Sequence, residues 1–189
     1  MASNDTAQQF RLGREARNTV RSNTFGEMLL ASHRLNATAL PRFALQSSDF
    51  HNNDLLPTRA TIDGDGTPPP LSWGVLVPPP VSLALICEDP DSAGATPFVH
   101  WVVYGIPGNT QSLDANLGDF REGLNDHGSP GFAPAAPPWR DPPHRYVFQL
   151  FALDTDLSLP PGVTCDELVS AMQGHVIVWG ELIGSYERP

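Results

Sequence analysis

The sequence predicts a mainly β domain with one clear helix near its carboxy terminus and a helical amino-terminal extension. Three observations carry that prediction. The chain has 189 residues, 40% hydrophobic and 17% charged, which is long enough to bury a core and too apolar for a disordered chain. Its 20 prolines and 16 glycines follow no Gly-X-Y period, so they exclude collagen and a bundle of long helices and favour short elements joined by turns. From about residue 43 onward, short apolar runs are bounded by Pro, Gly and Asp, the punctuation of strands. The chain therefore divides into an extension, 1–42, and a domain, 43–189.

Within the extension, Arg14, Arg17 and Arg21 are spaced three and four apart and would share a face of a first helix. That face reads as a solvated surface or a strap across the domain, with a partner-binding arm as the other reading. Thr24-Phe-Gly-Glu27 fits a capping box with Thr24 as the acceptor, and predicts a helix over about 25–34. In the domain, Val81–Cys87, Phe98–Ile106, Tyr146–Leu153 and Val176–Ile183 are short and rich in β-branched and aromatic residues, and read as strands. Thr164-Cys-Asp-Glu167 is a second capping box, opening a helix that Gly174 can end, with Leu168, Ala171 and Met172 facing inward. The 108–145 segment is a long loop region stiffened by Pro134, Pro137, Pro138, Pro142 and Pro143, which suits a fixed wall better than a moving lid.

Charge narrows the partners. The net charge is −10 and every basic residue is arginine. Residues 1–42 hold six arginines against three carboxylates, a balance of +3, whereas residues 43–189 hold five against eighteen, a balance of −13. Nucleic acid is a poor partner for such a body. Cys87 and Cys165 form no C-x-x-C pair, so a reducing, cytoplasmic compartment is expected rather than a disulfide scaffold. No run approaches the roughly 20 apolar residues that span a bilayer, and no apolar signal region opens the chain. A mitochondrial transit peptide is disfavoured by Asp5, Glu15 and Glu27.

Candidate chemistry gathers at strand ends. Asp89-Pro90-Asp91 follows an apolar strand, and Pro90 holds Asp89 away from helical geometry; an Asx-type turn is the structural alternative to a binding role. Alternation in the next strand would put Phe98, His100, Val102 and Tyr104 on one face, and in a later strand His144, Tyr146 and Phe148. A lone His100 would read as a core histidine. With His144 it forms a group in which an aspartate can fix an imidazole tautomer and favour its protonated form. Such a group can receive phosphate or carboxylate, or do acid–base work.

These residues resemble a known family. Ile86-Cys-Glu-Asp89-Pro90-Asp91, Phe98-Val-His100-Trp-Val-Val-Tyr-Gly-Ile-Pro107 and Pro143-His144-Arg145-Tyr146-Val-Phe resemble, in order, the signature blocks of the phosphatidylethanolamine-binding protein family. Asp63-Gly64 with Pro68-Pro-Pro-Leu-Ser-Trp73 looks like the family's earlier segment, and Glu167 to Tyr186 like the carboxy-terminal segment of its bacterial and fungal branches. The resemblance covers about 43–189. It implies an antiparallel β-sandwich with a carboxy-terminal helix and a small anion pocket beside the Asp-Pro-Asp turn. By position it assigns Asp89, Asp91, His100, His144 and Tyr146 to that pocket, with Phe98 and Ala135 among the walls. Pro134 stands where the family usually has a loop glycine, which removes one backbone donor.

The leading functional expectation is a soluble protein binding a small anion, or the phosphoester or carboxylate end of a larger ligand such as a phospholipid headgroup, with His100 and His144 as donors. No cofactor or metal is expected; a site built from Asp89, His100 and His144 matches no established short metal motif. Two rivals stand beside it. One is an enzyme using His100, His144 and Asp89 for acid–base-assisted cyclisation or coupling, as the resemblance to fungal relatives linked to polyketide-anhydride biosynthesis implies. The other is a kinase- or protease-inhibitor-like module that engages a protein partner, with homodimerisation also open.

Overall fold

The computed structural model describes residues 23–116, 118 and 120–188, so the arginine-bearing helix expected at 14–21 lies outside the described residues. Among the described residues the fold is mainly β, as expected. Two short helices, α1 (Thr24–Met28) and α2 (Ala31–Arg34), lead into β1 (Arg42–Gln46), β2 (Asp54–Leu55), β3 (Leu71–Trp73) and β4 (Ser82–Asp89). Then come β5 (Phe98–Pro107), β6 (Ser112–Leu113), β7 (Arg121–Glu122), β8 (His144–Leu153), α3 (Cys165–Met172) and β9 (Val176–Tyr186). None of the described helices is long and apolar enough to cross a membrane.

The four apolar runs become the four long strands β4, β5, β8 and β9, each extended by up to three residues. They are joined in one curled sheet of order β6-β3-β1-β9-β8-β4-β5-β7, with β2 on β9. The expected purely antiparallel sandwich is modified at one place: β1 and β2 run parallel to β9, and the rest pair antiparallel. Because β1 pairs with β3 on one side and β9 on the other, it joins the short strands β3 and β6 to the long strands in one open, curled sheet.

Burial follows the period of two. Every residue of β4 is buried, which a strand covered on both faces requires. Leu83, Leu85 and Cys87 enter an inner core with Trp73, Trp101, Tyr146, Phe148 and Leu150. Ala84 and Ile86 face a second core, under α2 and α3, with Val102, Tyr104, Phe151, Leu168, Met172 and Trp179. The α3 capping box forms as predicted, Thr164 and Glu167 each accepting from the other's amide, and Gly174 follows the helix at φ 79°. Of the three residues expected inward, Leu168 and Met172 are buried and Ala171 is partly so.

The amino-terminal helix differs from its expected form. It is two short turns broken at Leu29 and Leu30, and Asn23 rather than Thr24 caps the first by accepting from the Gly26 amide at 3.1 Å. Asn is a better cap than Thr, and its side-chain amide also donates to Pro90 O at 2.7 Å, which a threonine could not do. The second turn, α2, has no cap of its own. Glu88 Oε2 accepts from the Ala31 amide at 2.8 Å and from Gln149 Nε2 at 2.7 Å, while Gln149 Oε1 accepts from the Ser32 amide at 2.8 Å. A buried pair on β4 and β8 thus closes the helix end and docks residues 31–37 on the sheet. Burial pushes the Glu88 carboxyl upward, against the hydrogen bonds from Ala31 and Gln149.

Gln149→Leu keeps the volume but leaves the buried Ser32 amide without its acceptor and removes one of the two hydrogen bonds to Glu88 Oε2. It should lower the unfolding free energy by about 1–3 kcal/mol in urea titration, the usual cost of orphaned buried polar groups.

Candidate functional site

The Asp-Pro-Asp segment does two things at once. Asp89 Oδ1 accepts from the Asp91 amide at 2.8 Å, the Asx-type turn that Pro90 favours. Its other oxygen, Oδ2, accepts from His144 Nδ1 at 2.7 Å. The antiparallel β4–β8 ladder, with Glu88 opposite Val147, brings the end of one strand beside the start of the other. Both side chains are buried.

A carboxylate can only accept, so Nδ1 of His144 carries the hydrogen and Nε2 faces outward. Burial works against a charged ring here. The hydrogen bond to Asp89 and the charges of Asp89, Asp91 and Asp141 outweigh it, and the net His144 pKa is raised. The protonated ring offers a second N–H at Nε2, and Asp141 Oδ2 lies 3.8 Å from it.

His100 behaves differently. Its Nδ1 lies 2.7 Å from Ala133 O, and a carbonyl also only accepts, so Nδ1–H is the donor. Burial lowers its pKa, with His127 acting in the same sense and Ala133 and Asp89 opposing. A neutral ring whose Nδ1 carries the hydrogen presents a lone pair at Nε2. In this tautomer a neutral ring offers a hydrogen-bond acceptor at Nε2, whereas the expectation from sequence has His100 as a donor.

The predicted face of β5 is corrected. Glu88 pairs with Val99 and Cys87 with Trp101, so His100 is an extra residue opposite nothing, a β-bulge. His100 and Trp101 consequently lie on the same side, and Val102 and Tyr104 are delivered to the second core. A second irregularity between Leu83 and Leu85 falls at Gly105, whose φ of 69° suits glycine. Phe98 stays beside His100, with ring centroids 4.8 Å apart, and on its other side it meets His127 at 5.1 Å. Sequence reasoning missed His127; a turn histidine carries no periodicity that would mark it.

Tyr146 packs edge-on to His100 at 5.0 Å. Burial, then the charges of Asp89, Cys87 and Tyr186, raise its pKa and keep it a neutral phenol. The backbone amide of Ala136 acts in the opposite sense, yet outside hydrogen-bonding geometry, so the hydroxyl is buried with no partner among the described residues. Ala135 is fully buried and its amide donates to Ala60 O at 3.1 Å, which fits its expected place in the wall. Ala136 is then the last N–H before Pro137 and Pro138.

Asp91 turns away from this group. Arg145 donates to it from the backbone amide at 3.0 Å, from Nε at 2.8 Å and from a terminal nitrogen at 2.8 Å. The same guanidinium bridges to Glu27 of α1. Arg145 precedes Tyr146 and follows His144, so alternation puts it on the opposite face of β8, where it fastens the turn from behind. A Cβ at Gly26 would meet Pro90 O at 2.1 Å, so α1 rests directly on the turn. Among the described residues, no three His, Cys, Asp or Glu side chains are grouped as metal ligands.

Fold and site define a class: a β-rich domain in which an aspartate turn meets histidines from two neighbouring strands. The family model described as phosphatidylethanolamine-binding protein matches residues 46–187, and the chain belongs to that family. A UPF0098 protein of Methanothermobacter thermautotrophicus is 40% identical over 151 residues, spanning 76% of this chain and 98% of that protein. The crystal structure of a Chlamydia trachomatis protein, titled a putative phosphatidylethanolamine-binding protein homolog, is 36% identical with a TM-score of 0.73, over 78% of this chain and 99% of that one. E. coli YbcL, titled a new member of the mammalian PEBP family, is 25% identical with a TM-score of 0.71 over the same shares.

Asp89→Asn removes the charge and weakens the acceptor that raise the His144 pKa. The His144 ring, followed by NMR titration, should lose its proton at lower pH in this variant than in the parent.

Proposed function

We propose that this chain binds a small anion, a phosphate, phosphoester or carboxylate group, between His144, Tyr146, His100 and the Ala136 amide. The observation that carries the reading is the Tyr146 hydroxyl, on a side chain at 1% exposure and lacking a partner among the described residues. A buried donor left unmade costs about 1–3 kcal/mol, and an incoming oxygen removes that penalty. Protonated His144 Nε2 supplies charge, and the Ala136 amide supplies a further N–H. Neutral His100 Nε2 can accept a hydrogen, which favours a ligand that keeps one, such as a monoprotonated phosphoester. Asp89 positions His144 rather than meeting the anion. The two cysteines are free and buried, which supports a reducing, cytoplasmic setting for this activity.

One observation favours a second reading, acid–base catalysis. Two histidines of the same site have pKa values pushed in opposite directions, His100 down and His144 up, the pattern of a base beside an acid. Turnover of a supplied acidic substrate that is lost in both His100→Gln and His144→Gln, with phosphate affinity unchanged in His100→Gln, would favour catalysis over simple binding.

Binding is tested by calorimetric titration with inorganic phosphate and phosphoethanolamine. Tyr146→Phe should weaken phosphate by about ten- to a hundredfold, a hydrogen bond to a charged group, while the ligand-free variant unfolds at the same or higher denaturant concentration. Equal affinity in parent and variant would remove the tyrosine from the site. Because the His144 pKa is raised, the cation is present at low pH and disappears as pH rises through it. Acetate, whose own charge is constant from pH 6 upward, should therefore bind progressively more weakly across that rise.

A further inference from the structure

Asp141 stands in an unusual position for an exposed aspartate. An aspartate in a turn ordinarily accepts from the amides that follow it. Here the next two residues are Pro142 and Pro143, which have no N–H, and the residue after them is His144 itself. Its carboxylate instead faces His144 Nε2 at 3.8 Å, with half of the side chain open to solvent.

The loop that carries it is held in place. Arg140 has a φ of 68°, in the left-handed region, and its amide donates to Arg188 O at 2.8 Å. The Arg188 guanidinium lies 3.9 Å from the centroid of the Trp139 ring. Arg188 also donates to both oxygens of Asp63, at 3.1 and 3.3 Å, and Asp63 accepts from the Tyr186 hydroxyl at 2.6 Å. The carboxyl-terminal residues thus pin the 139–141 turn against residues 61–63, and Asp141 is presented rather than left to swing.

His144 is consequently bracketed by Asp89 on Nδ1 and Asp141 near Nε2, and Nε2 is the nitrogen that an anionic ligand would take. We propose that Asp141 is an internal competitor for the outer N–H of His144, and that it sets the charge the site accepts: singly charged anions over doubly charged ones. This inference rests on the anion-binding reading above. A ligand oxygen that reaches His144 must displace the Asp141 carboxylate or share the N–H with it. Either way the repulsion from Asp141 grows with the charge the ligand brings.

The test uses two tetrahedral anions that do not titrate near neutrality, methanesulfonate with one charge and sulfate with two, alongside inorganic phosphate, by calorimetry on the full chain at fixed pH and salt. Asp141→Asn should bind sulfate about fivefold tighter than the parent, the scale of a half-exposed pair, and methanesulfonate with a smaller gain. Asp141→Ala should give the same ordering. Asp156→Asn, which removes an equal charge beyond the far end of β8, should change neither affinity.

A readout independent of binding is the His144 ring titration, where Asp89 and Asp91 from the turn, Asp141 from the loop and the neutral Tyr146 and Tyr186 are the neighbouring groups. In Asp141→Asn the ring should lose its proton at lower pH. An unchanged titration, no gain for sulfate, or an equal gain in Asp156→Asn would overturn the inference while leaving anion binding intact. Parent and variants that all fail to bind phosphate, sulfate and methanesulfonate would instead overturn the anion-binding reading, and this inference with it.

Discussion

The antiparallel ladder between β4 and β8 is the constraint on which the rest of the molecule depends. Seven residue pairs in unbroken register, from Ser82 opposite Leu153 to Glu88 opposite Val147, set which side chains share each face. Neighbours in sequence then divide the work. Glu88 serves the helix-docking face and Asp89 the site, and His144 and Arg145 divide in the same way. A slip of β8 by one residue would turn that strand over against β4, sending Arg145 toward the site face and His144 away from Asp89. Burial on both faces of β4 makes such a slip costly, because it would also trade every apolar partner in two cores.

Much of the fold could be read in the residues, and the reasons differ by element. The four long strands were legible because runs such as Phe98–Ile106 are short, rich in β-branched and aromatic residues and bounded by prolines, and no helical period competes with them. The α3 capping box was legible because both members of the motif act within four residues. The break between α1 and α2 was not, since the group that caps α2 is Glu88, 57 positions away in sequence from Ala31. Parallel pairing of β1 with β9 leaves no local mark at all. It depends on where the chain returns after more than a hundred residues.

The site divides along the same line. His144 and Tyr146 lie where alternation put them because their strand keeps register there. His100 lies beside them for the opposite reason: a bulge breaks the alternation that would have aligned it with Val102 and Tyr104. The Asp91 carboxylate looked equivalent to that of Asp89 in sequence, being two positions away in an acidic turn. What separates them is a guanidinium from another strand, and only the fold decides which oxygen meets it. The two histidine pKa values move in opposite directions because burial prevails at His100, where a carbonyl offsets it only in part, while the Asp89 carboxylate and its neighbours outweigh burial at His144.

The bulge at His100 gives that position a second property, separate from its imidazole. An extra residue opposite nothing is spare length, and the strand on either side is phased around it. Exchanging His100 for another amino acid would alter the chemistry and leave the phase of β5 alone. Deleting it would likewise keep Phe98 and Val99 on their present sides relative to Trp101, since the pairs Glu88–Val99 and Cys87–Trp101 would become consecutive, and would remove the bulge itself. At this place in the chain a shortened sequence and a changed one are therefore related lesions: both remove the imidazole, and the first also straightens the strand.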